Sequence, residues 1–432
     1  MIREGKPGPL HGIRVLDLAR QHAGPFCGLL LSRLGADVIK VEPPEGEYSR
    51  ATGPWVRGQS AYWVQYNAGK RSLAINLYSE KGKEILRQLV VVSDIFLQNY
   101  RPGTIEAMGF GYPVLKSLNP KIVAVNVSSY GQYGPYWESP GMDRVAAALA
   151  GFMMSPGAEG DPPKFVGQTV IDRMTAMTAT IGAIAALVEA RRSGEGQSLD
   201  VALADTAYAN MAIPISYYKA TGKETPRRKG LGAGFSKVYK CKDGMVYLQC
   251  TQPHFRARVC EMMGHSEWEE EGGIALRNDP EAVSGVEKVL ARWFGQRTVQ
   301  DAVTTISGLG VPIAPVNTVA QATDDPHPWA RDVLIEAQDP LAGPLAVNGD
   351  LMHFSRSGYH VGPGPMPGQH TQEILTEILG MTEESIRQLE KEKVLKALAR
   401  GEVQKGFRDR RENAISALAS GEAQKKASSR RR

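Results

Sequence analysis

LHGIRVLDLARQHAGPFCGLLLSRLGADVIKVEPP, residues 10–44, decides the class of fold. Ile13, Val15, Leu16 and Leu18 make residues 10–18 a strand. Residues 25–34 carry a helical pattern, with Pro25 at its start and Gly35 closing it. Residues 37–41, DVIKV, form a second strand, stopped by Pro43 and Pro44. Strand, helix and strand within about thirty residues make a βαβ unit, and hence a parallel pair. The loop after the first strand then lies at the carboxyl end of the sheet, where α/β proteins place their ligands. It holds Gln21, His22, Gly24 and Pro25. The spacing is not GxGxxG, so no dinucleotide fingerprint is predicted.

The alternation continues outward. Lys70 and Arg71 stand at a turn before a strand over 72–77, and a helix follows over 79–92. A strand over 94–98 leads into Asn99, Tyr100 and Arg101, and a strand over 122–127 leads into the Gly-rich loop SSYGQYGPY. The class is α/β. After residue 222 the texture changes to a basic, Gly-rich stretch, a hairpin over 238–250 and further helices. The expected division is a large domain over 1–221, a small α/β domain over 222–333, a return segment to the large domain over 334–395, and a basic tail over 396–432. The tail holds the near-repeat ALARGEVQK and ALASGEAQK, and two copies do not make a solenoid.

Composition narrows the function classes. The net charge is +5, but residues 396–432 hold eleven Lys and Arg against four Asp and Glu. The tail thus contributes +7 and leaves −2 for the rest, so the basic balance does not argue that the body binds nucleic acid. No uninterrupted apolar run reaches the length of a bilayer crossing, so no membrane span is expected. The start, MIREGKPGPLHG, has no apolar signal region. Cys27, Cys241, Cys250 and Cys260 lack metal spacing and read as free thiols in a reducing cytoplasm.

One acid stands out. Asp172 precedes a long run of small and apolar residues over 175–187 that reads as a buried helix. It could offset the helix's unpaired N–H groups. It could also be a carboxylate nucleophile on a rigid element.

Taken together, the motifs resemble the family III CoA-transferases, the group of formyl-CoA transferase and carnitine CoA-transferase, with the α-methylacyl-CoA racemases as relatives. The resemblance rests on the opening stretch, NAGKRSLAINL, QNYRPGTIEAMGF, SSYGQYGP, PGMDRVAAALAGFM, Asp172 with the IGAIAAL helix, GEGQSLDVAL, DPHPWAR and PGQHTQEIL, over residues 9–380. It implies a Rossmann-like large domain joined by long linkers to a small one, and an interlocked homodimer. One subunit of a heteromer is the other assembly considered. It implies CoA transfer from an acyl-CoA to a carboxylic acid, with Asp172 as nucleophile and coenzyme A as part of the substrate, not a prosthetic group.

The resemblance also distributes roles. His22 matches a position beside the reacting carbonyl, where it could donate a hydrogen bond or cap the next helix. Lys40, Lys70, Arg71, Asn99, Tyr100 and Arg101 are expected at the carboxyl edge, with the cations on CoA phosphates; an ordinary solvated turn is the plainer reading of Lys70 and Arg71. Gly230, Gly232 and Gly234 in GLGAG could form a lid or a linker turn. Ala107 stands where relatives commonly carry Arg. A racemase needs two bases. Its G-H-D motif is here Gly141-Met142-Asp143, and methionine cannot carry a proton.

Overall fold

The structure, a computed structural model, describes residues 6–165, 167–227, 235–266, 268, 280–358 and 360–397. The chain divides into two compact units: Met1–Met153, Phe165–Ser216 and His327–Arg432 form the larger, and Met154–Lys164 with Tyr217–Pro326 the smaller. The boundaries near 222 and 333 expected from texture thus fall a few residues earlier, and Met154–Lys164 joins the smaller unit. Gly230, Gly232 and Gly234, where a lid or a linker turn was expected, lie outside the described residues, as does the tail from 398.

The larger unit begins β1 (Arg14–Asp17), α1 (Ala23–Arg33), β2 (Asp37–Glu42). A ribbon of β3 (Trp55–Val56) and β4 (Gln59–Ser60) precedes α2 (Ala61–Asn67). Then come β5 (Arg71–Ile75), α3 (Glu80–Val91), β6 (Ile95–Gln98), α4 (Thr104–Ala107), α5 (Tyr112–Leu118), β7 (Val123–Ser128), α6 (Asp143–Leu149), α7 (Val170–Ser193), β8 (Ser198–Ala202), α8 (Leu203–Asn210) and the start of α9 (Ala212–Thr221), within which the unit ends at Ser216. In the smaller unit β9 (Lys237–Lys240), β10 (Met245–Leu248) and β11 (Ile313–Pro315) make an antiparallel sheet. Back in the larger unit, β12 (Leu334–Asp339) and β13 (Gly343–Asn348) form a hairpin, and β14 (Leu395–Lys396) ends the described chain.

The seven-stranded sheet has the order β14-β5-β2-β1-β6-β7-β8 and is parallel except for β14. Successive residues of a strand face opposite ways. Val15, Leu97 and Val125 therefore pack with α1 and α7 on one face, while Leu16, Phe96 and Ala124 meet α3 and Ile374 on the other. Covering both faces is what an all-apolar parallel strand requires. All eleven residues of α1 are buried, so this helix is the inner wall between sheet and α7. The 24 residues of α7 are apolar enough to cross a bilayer, yet Ile171, Ala176, Ala179 and Ala183 are buried in this core. The tail was expected to begin at residue 396, but Lys396 belongs to the sheet.

Candidate active site

Asp172 lies inside α7, in its first turn, and not ahead of it. The residue that flanks the helix, Thr169, gives no side-chain hydrogen bond to the helix end. That duty falls to Asp143, the first residue of α6, whose Oδ2 accepts the Asp172 backbone N–H at 2.9 Å. Asp172 is therefore not the capping acid. Its carboxylate receives no hydrogen bond and no ion pair from the described residues. Burial, with the Asp143 charge adding to it, pushes its carboxyl up to about 7.

The hydroxyl that Thr169 withholds from the helix goes to His22: Thr169 Oγ1 is 2.8 Å from Nε2 and 3.1 Å from Nδ1. Tyr66 Oη lies 2.5 Å from Nε2, and Tyr62 Oη 3.1 Å from Nδ1. Arg173 Nη2 donates to Tyr66 Oη at 3.2 Å. Tyr66 Oη thus joins the Arg173 guanidinium to the His22 ring and fixes the ring's orientation. Burial, aided by the Arg173 charge, lowers His22 to about 4, and the ring is neutral at pH 7. Tyr62 and Tyr66 are one helical turn apart on α2, and both phenols are raised by burial. Tyr62, Tyr66, Thr169 and Arg173 were missed in the sequence. The aromatic pair at i and i+4 in SAYWVQYNAG was the available signal.

The loop bearing His22 is held at both ends from below. Lys40 Nζ donates to the Ala19 carbonyl, and Lys70 Nζ to the Pro25 carbonyl at 2.8 Å. Both ammonium groups also meet Asp17, Lys70 at 2.7 Å and Lys40 at 3.7 Å. Asp17 Oδ1 further accepts the Ala19 N–H at 2.9 Å. These three side chains are sealed from solvent. Gly28 makes room for them, because a Cβ there would sit 2.6 Å from Asp17 Oδ2. The expectation of phosphate contacts from Lys40 and Lys70 does not fit this burial: both ammonium groups are spent on protein acceptors. Desolvation outweighs the Asp17 attraction and lowers Lys70 to about 8.

Arg71 turns away from the site as well. Its guanidinium grips Asp37, at the amino end of β2, at 2.6 Å, and Glu373 at 2.9 Å. These ion pairs hold Arg71 and draw Asp37 down despite its burial. A cavity of about 870 Å³ opens there, lined by His11, Asp37, Arg71, His360, His370 and Glu373, away from Asp172. Asn99, Tyr100 and Arg101 do follow β6 at the carboxyl edge. Asn99 ties that edge to the His22 loop through both directions of hydrogen bond with Arg20, at 2.6 and 2.8 Å. Arg20 stacks on Tyr100 at 4.8 Å, and Arg101 is exposed.

Geometry and chain pattern agree with the comparisons. The pattern of CoA-transferase family III matches residues 10–371. The chain belongs to that family and is an enzyme of the CoA-transferase class. It is 32% identical to succinyl-CoA--D-citramalate CoA-transferase of Chloroflexus aurantiacus, over 91% of this chain and 100% of that protein. It is 31% identical to human succinyl-CoA:glutarate CoA-transferase, over 88% of each. A CAIB/BAIF family protein from Brucella suis has the same fold, with a TM-score of 0.76 and 29% identity over 86% of this chain and 100% of that one.

Proposed function

We propose that the chain moves CoA from an acyl-CoA to a carboxylic acid through covalent intermediates on Asp172. The supporting observation is a half-buried carboxylate, in the first turn of a rigid helix, that no described residue pairs or hydrogen-bonds. Asp172 attacks the thioester carbonyl, the C–S bond breaks, and CoA thiolate leaves an acyl–aspartyl anhydride. The thiolate attacks the aspartyl carbonyl, releasing the donor acid and forming an aspartyl-CoA thioester. The acceptor carboxylate then attacks this thioester, and the steps reverse to give the new acyl-CoA and free Asp172. Exchange of one acid for another is near thermoneutral, so the step needs a nucleophile of the substrate's own class, with water kept out. Neutral His22, oriented by Tyr62, Tyr66 and Thr169, would donate its ring N–H toward the developing oxyanion. Arg101 and Arg20 are the cations open to CoA phosphates at the carboxyl edge.

Hydroxylamine added during turnover should convert Asp172 to a hydroxamate, located by peptide mass spectrometry. Asp172→Ala should lower kcat by ~10⁴-fold, about 5.5 kcal/mol of barrier. Retention of more than about a hundredth of kcat, or a trap on another residue, excludes the nucleophile role. A second copy of the chain is the occupant proposed for the exposed apolar side chains Met177, Ile181 and Val188 along α7. A monomer in sedimentation equilibrium would remove that assembly.

A further inference from the structure

Arg173 follows the proposed nucleophile, and its guanidinium has no carboxylate partner. Arg14, Arg50 and Arg71 of the same unit each meet one, at 3.0, 2.6 and 2.6 Å. For Arg173 no carboxylate oxygen of the described residues lies within 4.0 Å, and neither Asp172 nor Asp143 pairs with it. Its charge rests instead on the faces of Phe26, 5.1 Å from the ring centre, and Tyr66, 5.8 Å. Cation–π contact offsets part of the cost of burying the charge but leaves N–H donors unmet. Nη2 is bonded to Tyr66, and Nε is sealed without a partner among the described residues. Nη1 is the remaining nitrogen, neither bonded nor sealed.

We propose that Arg173 receives a second, non-reacting carboxylate of the substrate, so that the site takes dicarboxylic acids and their mono-CoA thioesters. This rests on the reading of Asp172 as nucleophile. A half-buried cation without an anion is unfavourable until one arrives. The guanidinium suits a carboxylate better than an ammonium would. Arg173 is the next residue after Asp172 in the first turn of α7, and its guanidinium reaches Tyr66 Oη, which also contacts His22. A short acid whose thioester carbonyl meets Asp172 would place its far end at Arg173. A monocarboxylic acid would leave that cation unmatched.

The test compares kcat/KM for succinyl-CoA and glutaryl-CoA with that for acetyl-CoA and butyryl-CoA, in wild type, Arg173→Met and Arg173→Lys. Wild type should prefer the dicarboxylic donors. Arg173→Met should cut the dicarboxylic-to-monocarboxylic ratio by ~10–100-fold, chiefly through KM, as loss of a charged hydrogen bond implies. Arg173→Lys, which keeps the charge, should fall between; it also serves if the Met variant does not fold. A wild type that prefers monocarboxylic donors, or a ratio untouched by either substitution, overturns the assignment. Hydroxamate formation read in the same wild-type reactions separates the two claims. Trapping at Asp172 without dicarboxylate preference refutes the role of Arg173 alone. Preference that depends on Arg173 without trapping refutes Asp172 and sustains the carboxylate contact.

Discussion

Asp17 and Asp172 are two carboxylates of one unit, and their surroundings are opposite. Asp17 is sealed between two ammonium groups and accepts a backbone N–H besides. Asp172 is half-buried, faces another acid's charge, and its carboxylate accepts no hydrogen bond from the described residues. The first arrangement has its charge balanced by protein groups and has no partner to offer a substrate. The second carries an uncompensated group beside an uncompensated cation, Arg173. Buried charge that is paired holds a fold together; buried charge left unpaired is held ready for something that arrives.

Breaking the first arrangement should have the larger effect on stability. Asp17→Asn leaves Lys70 and Lys40 buried without their shared anion and should cost ~3–5 kcal/mol in urea unfolding. A loss below about 1 kcal/mol would mean that the cluster is solvated and that Lys70 is free to reach a phosphate. The second arrangement should respond with the opposite sign. The folded state holds the Asp172 proton more tightly than the unfolded chain does, so wild-type stability falls as pH rises from the ordinary carboxylate range through about 7. Asp172→Asn removes that loss. It should be stabilising by about 2 kcal/mol at pH 8, under a ceiling of about 4 kcal/mol, and near neutral at pH 4. A gain that does not depend on pH would show that Asp172 is not desolvated.

The same contrast explains what could be read in the sequence. The βαβ rhythm of residues 10–42 depends on local periodicity, so strands, helix and order were legible. The apolar run after Asp172 announced α7 for the same reason, although the helix starts five residues earlier than the run suggested. Partner identity was not local. Lys40 lies in a parallel strand covered on both faces, where an isolated charge must find its opposite, and Asp17 is its register partner in β1. Had the charge inside VIKVE been matched with the one inside RVLD, the phosphate role would have lost its appeal at once. Arg71 opens β5, and in a parallel sheet the start of a strand lies at the amino edge, so it meets Asp37 at the start of β2 and not the carboxyl edge where the sequence reading puts it. The hairpin β12–β13 was hidden by its Pro and Gly content, which reads as extended coil until the two halves are paired. His22 and Asp172 were found singly; Tyr62 and Tyr66 on α2 and Thr169 and Arg173 at the start of α7 lie about a hundred residues apart, so no local pattern linked the two groups.

The antiparallel edge strand bears on how the polypeptide is made. β5 pairs with β2 on one side, but the groups on its other side are met by His370, Thr371 and β14, about 295 to 320 residues further along the chain. At a ribosomal pace of ~5–20 residues per second, that exposed side stays open for tens of seconds. Open strand edges recruit other strands. The nascent chain therefore passes through a long interval in which its most vulnerable border is unguarded, and chaperone dependence during synthesis should track the arrival of residues 370–396 and not the completion of α7.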